Sequence, residues 1–244
     1  MHYHAHSYTV ISADIVNSSA GGAWRHTLLV PALYKAIGTA TAECPLGAKW
    51  LLRRDGDSMT VAVPPEVSKG EVLGEFPHRV EREVRRFNSG RTPESQLWIR
   101  VAVAHGDVVV DGGELLGGNA LIDAARIRDI DPLRAAMSAA PEAYIGLVLT
   151  DDVYRTSVRG GDPALMPNAY RQVEVKSKGY EGTAWIRLLG ADPPGDGGPG
   201  GTREPRSPKP GPFPAGRDTT TNIRVNNGIV QTGHGSVAGI YHVR

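Results

Sequence analysis

Two runs of this chain each place a carboxylate at a turn, and two such carboxylates can hold divalent cations. In Tyr8–Ser19, YTVISADIVNSS, Asp14 closes an apolar stretch. In Trp50–Val63, WLLRRDGDSMTVAV, Asp57 follows Gly56. Small polar residues come after Asp14 and before a helical pattern. A strand-to-helix turn of that kind offers free backbone N–H groups and a positive helix end. The amides around Val16, Asn17 and Ser18 then suit a triphosphate, and Asp14 suits the Mg²⁺ that phosphates carry. Asp57 completes a two-metal site if the two strands are neighbours. Spacing alone also allows Asp14 to be a helix cap and Asp57 an ordinary turn residue.

The elements that must position these residues follow from periodicity. Residues 8–14 read as a buried strand, and Trp24 to about Thr41 as a helix with Pro31 as a place for a bend. Residues 49–54 and 58–63 read as strands around the Asp55-Gly56 turn, which puts Lys49, Leu51 and Arg53 on one strand face. Val72, Leu73, Phe76, Val80, Val84 and Phe87 mark a second helix. Strands at 97–103 and 108–110 follow, then helices at 120–129 and 133–139 and a strand at 145–149. A helical turn at 151–158 precedes two last strands, 170–175 and 183–188. The order β-α-β-β-α-β predicts an α+β, ferredoxin-like domain with a mostly antiparallel sheet and helices on one face.

Composition bounds the rest. The chain has 244 residues, 27 basic and 26 acidic, for a net charge of +1. No global field draws it to nucleic acid or to an anionic membrane. The single cysteine, Cys44, excludes an intramolecular disulfide and fits a reducing, cytoplasmic setting. No apolar run reaches the roughly 20 residues that span a bilayer. Residues 191–217 hold 8 Pro and 7 Gly and almost no large apolar side chain, so they cannot bury a core. The expected division is a domain over 1–190, a disordered linker over 191–218 and a β-prone tail over 219–244. The alternating His2, His4 and His6 read as a solvated terminus.

An ordered set of motifs resembles the class III nucleotidyl (adenylyl/guanylyl) cyclase catalytic domain, nearest to the divergent actinobacterial type. Its carriers are Ser12–Ser18, Gly56-Asp57, Arg100–Gly106, Gly118–Arg126, Thr150–Tyr154 and Val175–Gly179. The resemblance implies that Asp14 and Asp57 bind two Mg²⁺ or Mn²⁺ ions. It implies that Arg126 stabilises the transition state and that Lys178, with Lys176 a close second, binds the terminal phosphates. The substrate would be a nucleoside triphosphate and the products a 3′,5′-cyclic nucleotide and pyrophosphate. The site would form between the two chains of a homodimer, with Arg126 and Glu114, the base-reading acid, opposite the two aspartates. Two positions depart from the family pattern. Ile122 stands where a ribose-binding asparagine is expected, and Leu51 where an adenine-reading lysine is expected. Leu51 fits the pyrimidine cyclases of bacterial antiphage systems, which also lack that lysine. Ile122 fits a degenerate module that binds a nucleotide or a partner.

The tail, with Asn222–Gln231 NIRVNNGIVQ at its centre, mixes β-branched residues with Asn, Gln and Gly. It resembles the RHIM-like amyloid signalling motifs of bacterial immune proteins. That resemblance implies recruitment by a receptor with a matching motif. A plain hairpin turning at Val225–Ile229 is the other reading.

Overall fold

The computed structural model describes residues 5–161, 163–177 and 179–190, and the strand segments 224–226 and 229–231. The chain divides into two units, Met1–Gly211 and Pro212–Arg244. In the first unit β1 (Ala5–Ile15) leads to α1 (Gly22–Ala42), and β2 (Leu51–Asp55) and β3 (Ser58–Val63) form a hairpin. Then α2 (Lys69–Asn88) precedes a long β4 (Ile99–Asp111), β5 (Glu114–Gly117), α3 (Asn119–Arg128) and α4 (Asp131–Ala139). β6 (Ile145–Thr150), a short α5 (Asp151–Val153), β7 (Arg171–Ser177) and β8 (Tyr180–Leu189) complete it.

The sheet order is β2-β3-β1-β4-β6-β8-β7, with β5 added to β4. All pairs are antiparallel except β4 with β6. Side chains alternate across a strand, so each strand feeds two cores. Ile11, Ala13, Val61, Val101, Val103 and Leu147 face α1 and α2, and pack with Leu33, Ile37, Phe76 and Val80. This is the predicted helical face. Val10, Ala62, Ala104 and Val108 pack instead with Ala120, Leu121 and Ala124 of α3, on the other side. α4 closes the same side over β6, where a Cβ on Gly146 would meet Met137 Sδ at 2.5 Å and Leu133 Cδ1 at 2.9 Å.

Local signals account for most boundaries. Ser68 and Glu71 form a capping box at the start of α2, with Ser68 Oγ accepting from Glu71 N at 3.2 Å. Buried Asn88 ends α2 and exchanges two hydrogen bonds with the backbone of Leu97, at 2.9 and 2.7 Å. That fixes where β4 enters the sheet. α1 continues through Pro31, and β4 runs through Gly106 where two strands were expected. The β2 strand begins at Leu51, and Lys49 lies in a 3₁₀ turn before it. Lys49 therefore does not share a strand face with Leu51.

In the second unit β9 (Arg224–Asn226) and β10 (Ile229–Gln231) pair antiparallel, with Asn226 opposite Ile229. The linker, and the tail apart from these two segments, lie outside the described residues.

Candidate functional site

Asp14 sits near the end of β1, between β3 and β4. The register sets it opposite Ser58 on one side and Arg100 on the other. Ile15 N donates to Asp57 O at 3.2 Å, so Asp14, near the end of β1, and Asp57, in the turn that leads into the neighbouring β3, stand at one end of the sheet. The neighbour condition for a shared site is thus met at the backbone. Asp57 is half-buried in the β2–β3 turn. Tyr34 of α1 ties that turn down by donating from its hydroxyl to Gly56 O at 2.5 Å. The Arg54 guanidinium lies over the same tyrosine ring, 4.9 Å from its centre.

The loop after Asp14 is shorter than the sequence pattern predicts, because α1 begins at Gly22, ahead of the expected Trp24. Gly21 and Gly22 take positive φ, 91° and 74°, and make the turn into α1, with Gly21 as its N-cap. Val16 N already donates to Trp98 O at 2.9 Å, so this amide is not free for a phosphate. Asn17 takes a left-handed φ of 53°. Its carbonyl accepts from the buried Arg25 at 2.5 Å, and Arg25 also donates to Ala20 O at 3.3 Å and Glu94 O at 3.1 Å. Arg25 thereby turns loop carbonyls inward. Asn17 is exposed and Ser18 half-buried, so both remain reachable from solvent.

The Asp14 carboxylate is held by arginines that sequence reading did not assign to the site. Arg100 Nε donates to Oδ1 at 2.9 Å and Nη2 to Oδ2 at 2.5 Å, a bidentate fork. Arg128, the last residue of α3, brings Nε within 3.5 Å of Oδ2 and donates from Nη1 to Ser12 Oγ at 2.6 Å. Arg100 Nη1 also donates to Asp129 Oδ1 at 2.6 Å, and Arg134 pairs with the same oxygen. Burial pushes the Asp14 carboxyl above the usual range, with Arg128 and Arg100 pulling it back. Asp129 goes the other way: burial raises it, but the Arg134 bond and the Arg100 charge outweigh that and lower it. One signal for Arg100 was present in the sequence. It is the lone charge in the apolar run Leu97–Ala104.

The other predicted residues lie elsewhere on the same domain. Arg126 donates from Nη1 to Gly179 O at 2.9 Å, in the β7–β8 turn, rather than toward Asp14. α3 advances by about 100° per residue, so Arg126 and Arg128 leave it in roughly opposite directions. Lys178 lies outside the described residues, beside that turn in sequence. Lys176 is exposed and pairs with Glu181 at 3.6 Å. Ile122, one turn before Arg126, is 46% exposed, an unusual position for a large apolar side chain. Leu51 packs against the α3-side core, and Glu114 is exposed at the start of β5. The structure thus brings Asp14 together with Asp57, and Arg126 with the β7–β8 turn, as two separate clusters.

Two carboxylates suit a cation whose remaining ligands are phosphate oxygens and water, as is usual for Mg²⁺. Among the described residues no group of three or more His, Cys, Asp or Glu gathers to enclose a metal ion. Both Asp14 oxygens are ion-paired with Arg100, so a cation there would have to bring its own oxygen ligands and draw Asp14 away from that arginine.

No family model and no curated protein matches the sequence. Among solved structures the chain is similar to an adenylate/guanylate cyclase/hydrolase from Silicibacter pomeroyi. The TM-score is 0.54 at 15% identity, over 77% of this chain and 99% of that one. It is also similar to a bacterial light-regulated adenylyl cyclase, with a TM-score of 0.51 at 14% identity. That match covers 76% of this chain and 53% of the other. At such identities the likeness is one of fold: this chain has the fold of the adenylate/guanylate cyclases. No helix among the described residues is long and apolar enough to cross a membrane.

Proposed function

We propose that this chain is a nucleotidyl cyclase that turns a nucleoside triphosphate into a 3′,5′-cyclic nucleotide and pyrophosphate. The observation that carries the reading is the placement of Asp14 and Asp57 at one end of the sheet, with Arg100 beside Asp14, in a chain of cyclase fold. The ribose 3′-oxygen forms a bond to the α-phosphorus, and the bond from that phosphorus to the α–β bridging oxygen breaks. Pyrophosphate leaves with the electron pair, and the hydroxyl proton passes to water. Asp14 and Asp57 would hold Mg²⁺ or Mn²⁺, which when bound neutralises phosphate charge and acidifies the ribose hydroxyl. Arg100 offers a planar fork that matches phosphate oxygens. Charge neutralisation and positioning are the main demands of phosphoryl transfer.

A second copy of the chain completes the site in this reading. Arg126 reaches the β7–β8 turn and not the Asp14 cluster of its own chain, which favours delivery across a homodimer. There it would meet the charge that builds up on the phosphates, with Lys178 and Lys176 on the terminal ones. Asn17, Ser18 and the loop around them would face the phosphates. Leu51 offers the base an apolar wall and leaves purine recognition without its usual lysine, so a pyrimidine substrate belongs in the test. The tail would recruit a receptor, and clustering would raise dimer occupancy through effective concentration. Signalling in antiphage defence is the role this arrangement suits.

One observation favours a second reading. Exposed Ile122 gives the ribose no hydrogen bond, and Leu51 gives the base none. A degenerate cyclase-fold module that binds a nucleotide or a partner fits those two positions. Incubating purified protein with each nucleoside triphosphate and Mn²⁺, followed by mass spectrometry, separates the two. The cyclase reading expects a cyclic product that disappears in Asp57→Ala. No product at a concentration where a dimer is demonstrated leaves the binding module.

A further inference from the structure

Arg100 engages both oxygens of Asp14. Its Nε and Nη2 take one carboxylate oxygen each, at 2.9 and 2.5 Å, and both side chains are only 11% exposed. Arg128 adds a second guanidinium, 3.5 Å from Oδ2. A divalent cation that approaches Asp14 alone therefore meets two positive charges at contact range, in a partly desolvated place where they are poorly screened. The remaining edge of the Arg100 fork is fastened separately. Nη1 donates to Asp129 Oδ1 at 2.6 Å, and Arg134 holds that carboxylate in turn. Asp129 can thus retain Arg100 while its other two donors change partner.

We infer that Arg100 is a latch that closes Asp14 to free divalent cations and yields it to a cation carried by a polyphosphate. This rests on the nucleotide reading given above. Phosphate oxygens accept the guanidinium fork as well as carboxylate oxygens do. An arriving polyphosphate therefore gives Nε and Nη2 new acceptors and frees the Asp14 oxygens for the accompanying cation. Binding of the two is then coupled, since each removes an obstacle to the other. Asp129 is the pivot: it keeps Arg100 in place through the exchange. Arg128, still paired with Ser12 Oγ, keeps Asp14 partly neutralised throughout.

The test needs no turnover. Mn²⁺ binding to the full-length protein is measured by electron paramagnetic resonance in the absence of nucleotide. Wild type, Arg100→Gln and the double variant Arg100→Gln/Asp14→Asn are compared, each checked for folding by circular dichroism. The latch expects Arg100→Gln to bind Mn²⁺ at least tenfold more tightly than wild type, and the double variant to lose that gain. In parallel, uptake of a Mn²⁺-loaded 3′-deoxynucleoside triphosphate is followed by equilibrium dialysis, and Arg100→Gln should weaken it at least tenfold. Equal Mn²⁺ affinity in wild type and Arg100→Gln overturns the latch. A gain of Mn²⁺ binding with no nucleotide uptake by either protein upholds the closure of Asp14 and sinks the nucleotide reading instead.

Discussion

The Asp14 cluster and the Arg126 cluster belong to one domain but are built in opposite ways. Around Asp14 every charge is met within the chain: Arg100, Arg128, Asp129 and Arg134 form a continuous network at the sheet end. Around Arg126 the described contact is one hydrogen bond to a backbone carbonyl, beside exposed Ile122. A closed network contributes to the fold and must be opened before it can bind. A loosely tethered cation costs the fold little and stands ready for a charge from outside. The contrast teaches that stability and reactivity are distributed unequally between the two clusters, and this can be attacked by mutation.

The largest effect is expected from Asp14→Ala. Removing one partner of a buried pair leaves arginines without their counter-charge, which costs about 3–5 kcal/mol. Urea unfolding should show this loss, whereas Asp57→Ala, at the turn, should stay within about 0.5 kcal/mol of wild type. Equal losses in the two variants would erase the contrast. Next comes Arg126→Ala. Its stability should fall by about 1 kcal/mol at most. Cyclic-nucleotide formation should drop about 10²–10³-fold, as for loss of a donor to developing charge. A large loss of stability would mean that Arg126 is structural.

Tyr34→Phe should cost about 1 kcal/mol by deleting the hydroxyl bond to Gly56 O. It should also weaken activity more than stability, because that bond positions the turn that carries Asp57. The smallest effect is expected from Asp129→Asn, under about 1 kcal/mol, because its side chain and that of Arg134 are about half exposed and Arg100 keeps Asp14 as a partner. Its sign can be worked out. The lowered pKa of Asp129 means that its contribution is present above the unfolded value of about 3.9 and is lost as pH falls below it. The stability gap between wild type and Asp129→Asn should therefore be constant near neutrality and shrink below about pH 4. A gap that widens in acid would show that Asp129 is not ionised by its arginines.

The β-α-β-β-α-β order was legible because a helical apolar pattern marks α2 and continuous apolar runs mark β1 and β3. α3 on the second face was harder to place, since only Ala120, Leu121, Ala124 and Ile127 are buried in it and small residues give a weak pattern. Asp14 and Asp57 stood out because strand ends and turns have short-range signatures. The arginine network did not. Arg100 stood out as a lone charge in an apolar strand, but its partner Asp14 lies 86 residues away and is reached only through strand register, as Arg128 is only through the docking of α3. Val16 misled for a related reason: its amide is claimed by Trp98, a partner that only the sheet brings near.

The end of α3 has one consequence of its own. Arg126 and Arg128 leave the same turn on opposite sides, one bound to Gly179 and the other to Asp14 and Ser12. The turn is anchored through Ala124 and Ile127, both fully buried. A shift of that turn would therefore move the backbone attachment of both guanidinium groups at once, like the arms of a rocker. In a symmetric pair of chains where each Arg126 serves its neighbour, that rocker would lie between two reaction centres. Filling one would then alter the leverage on the other without any further signalling element.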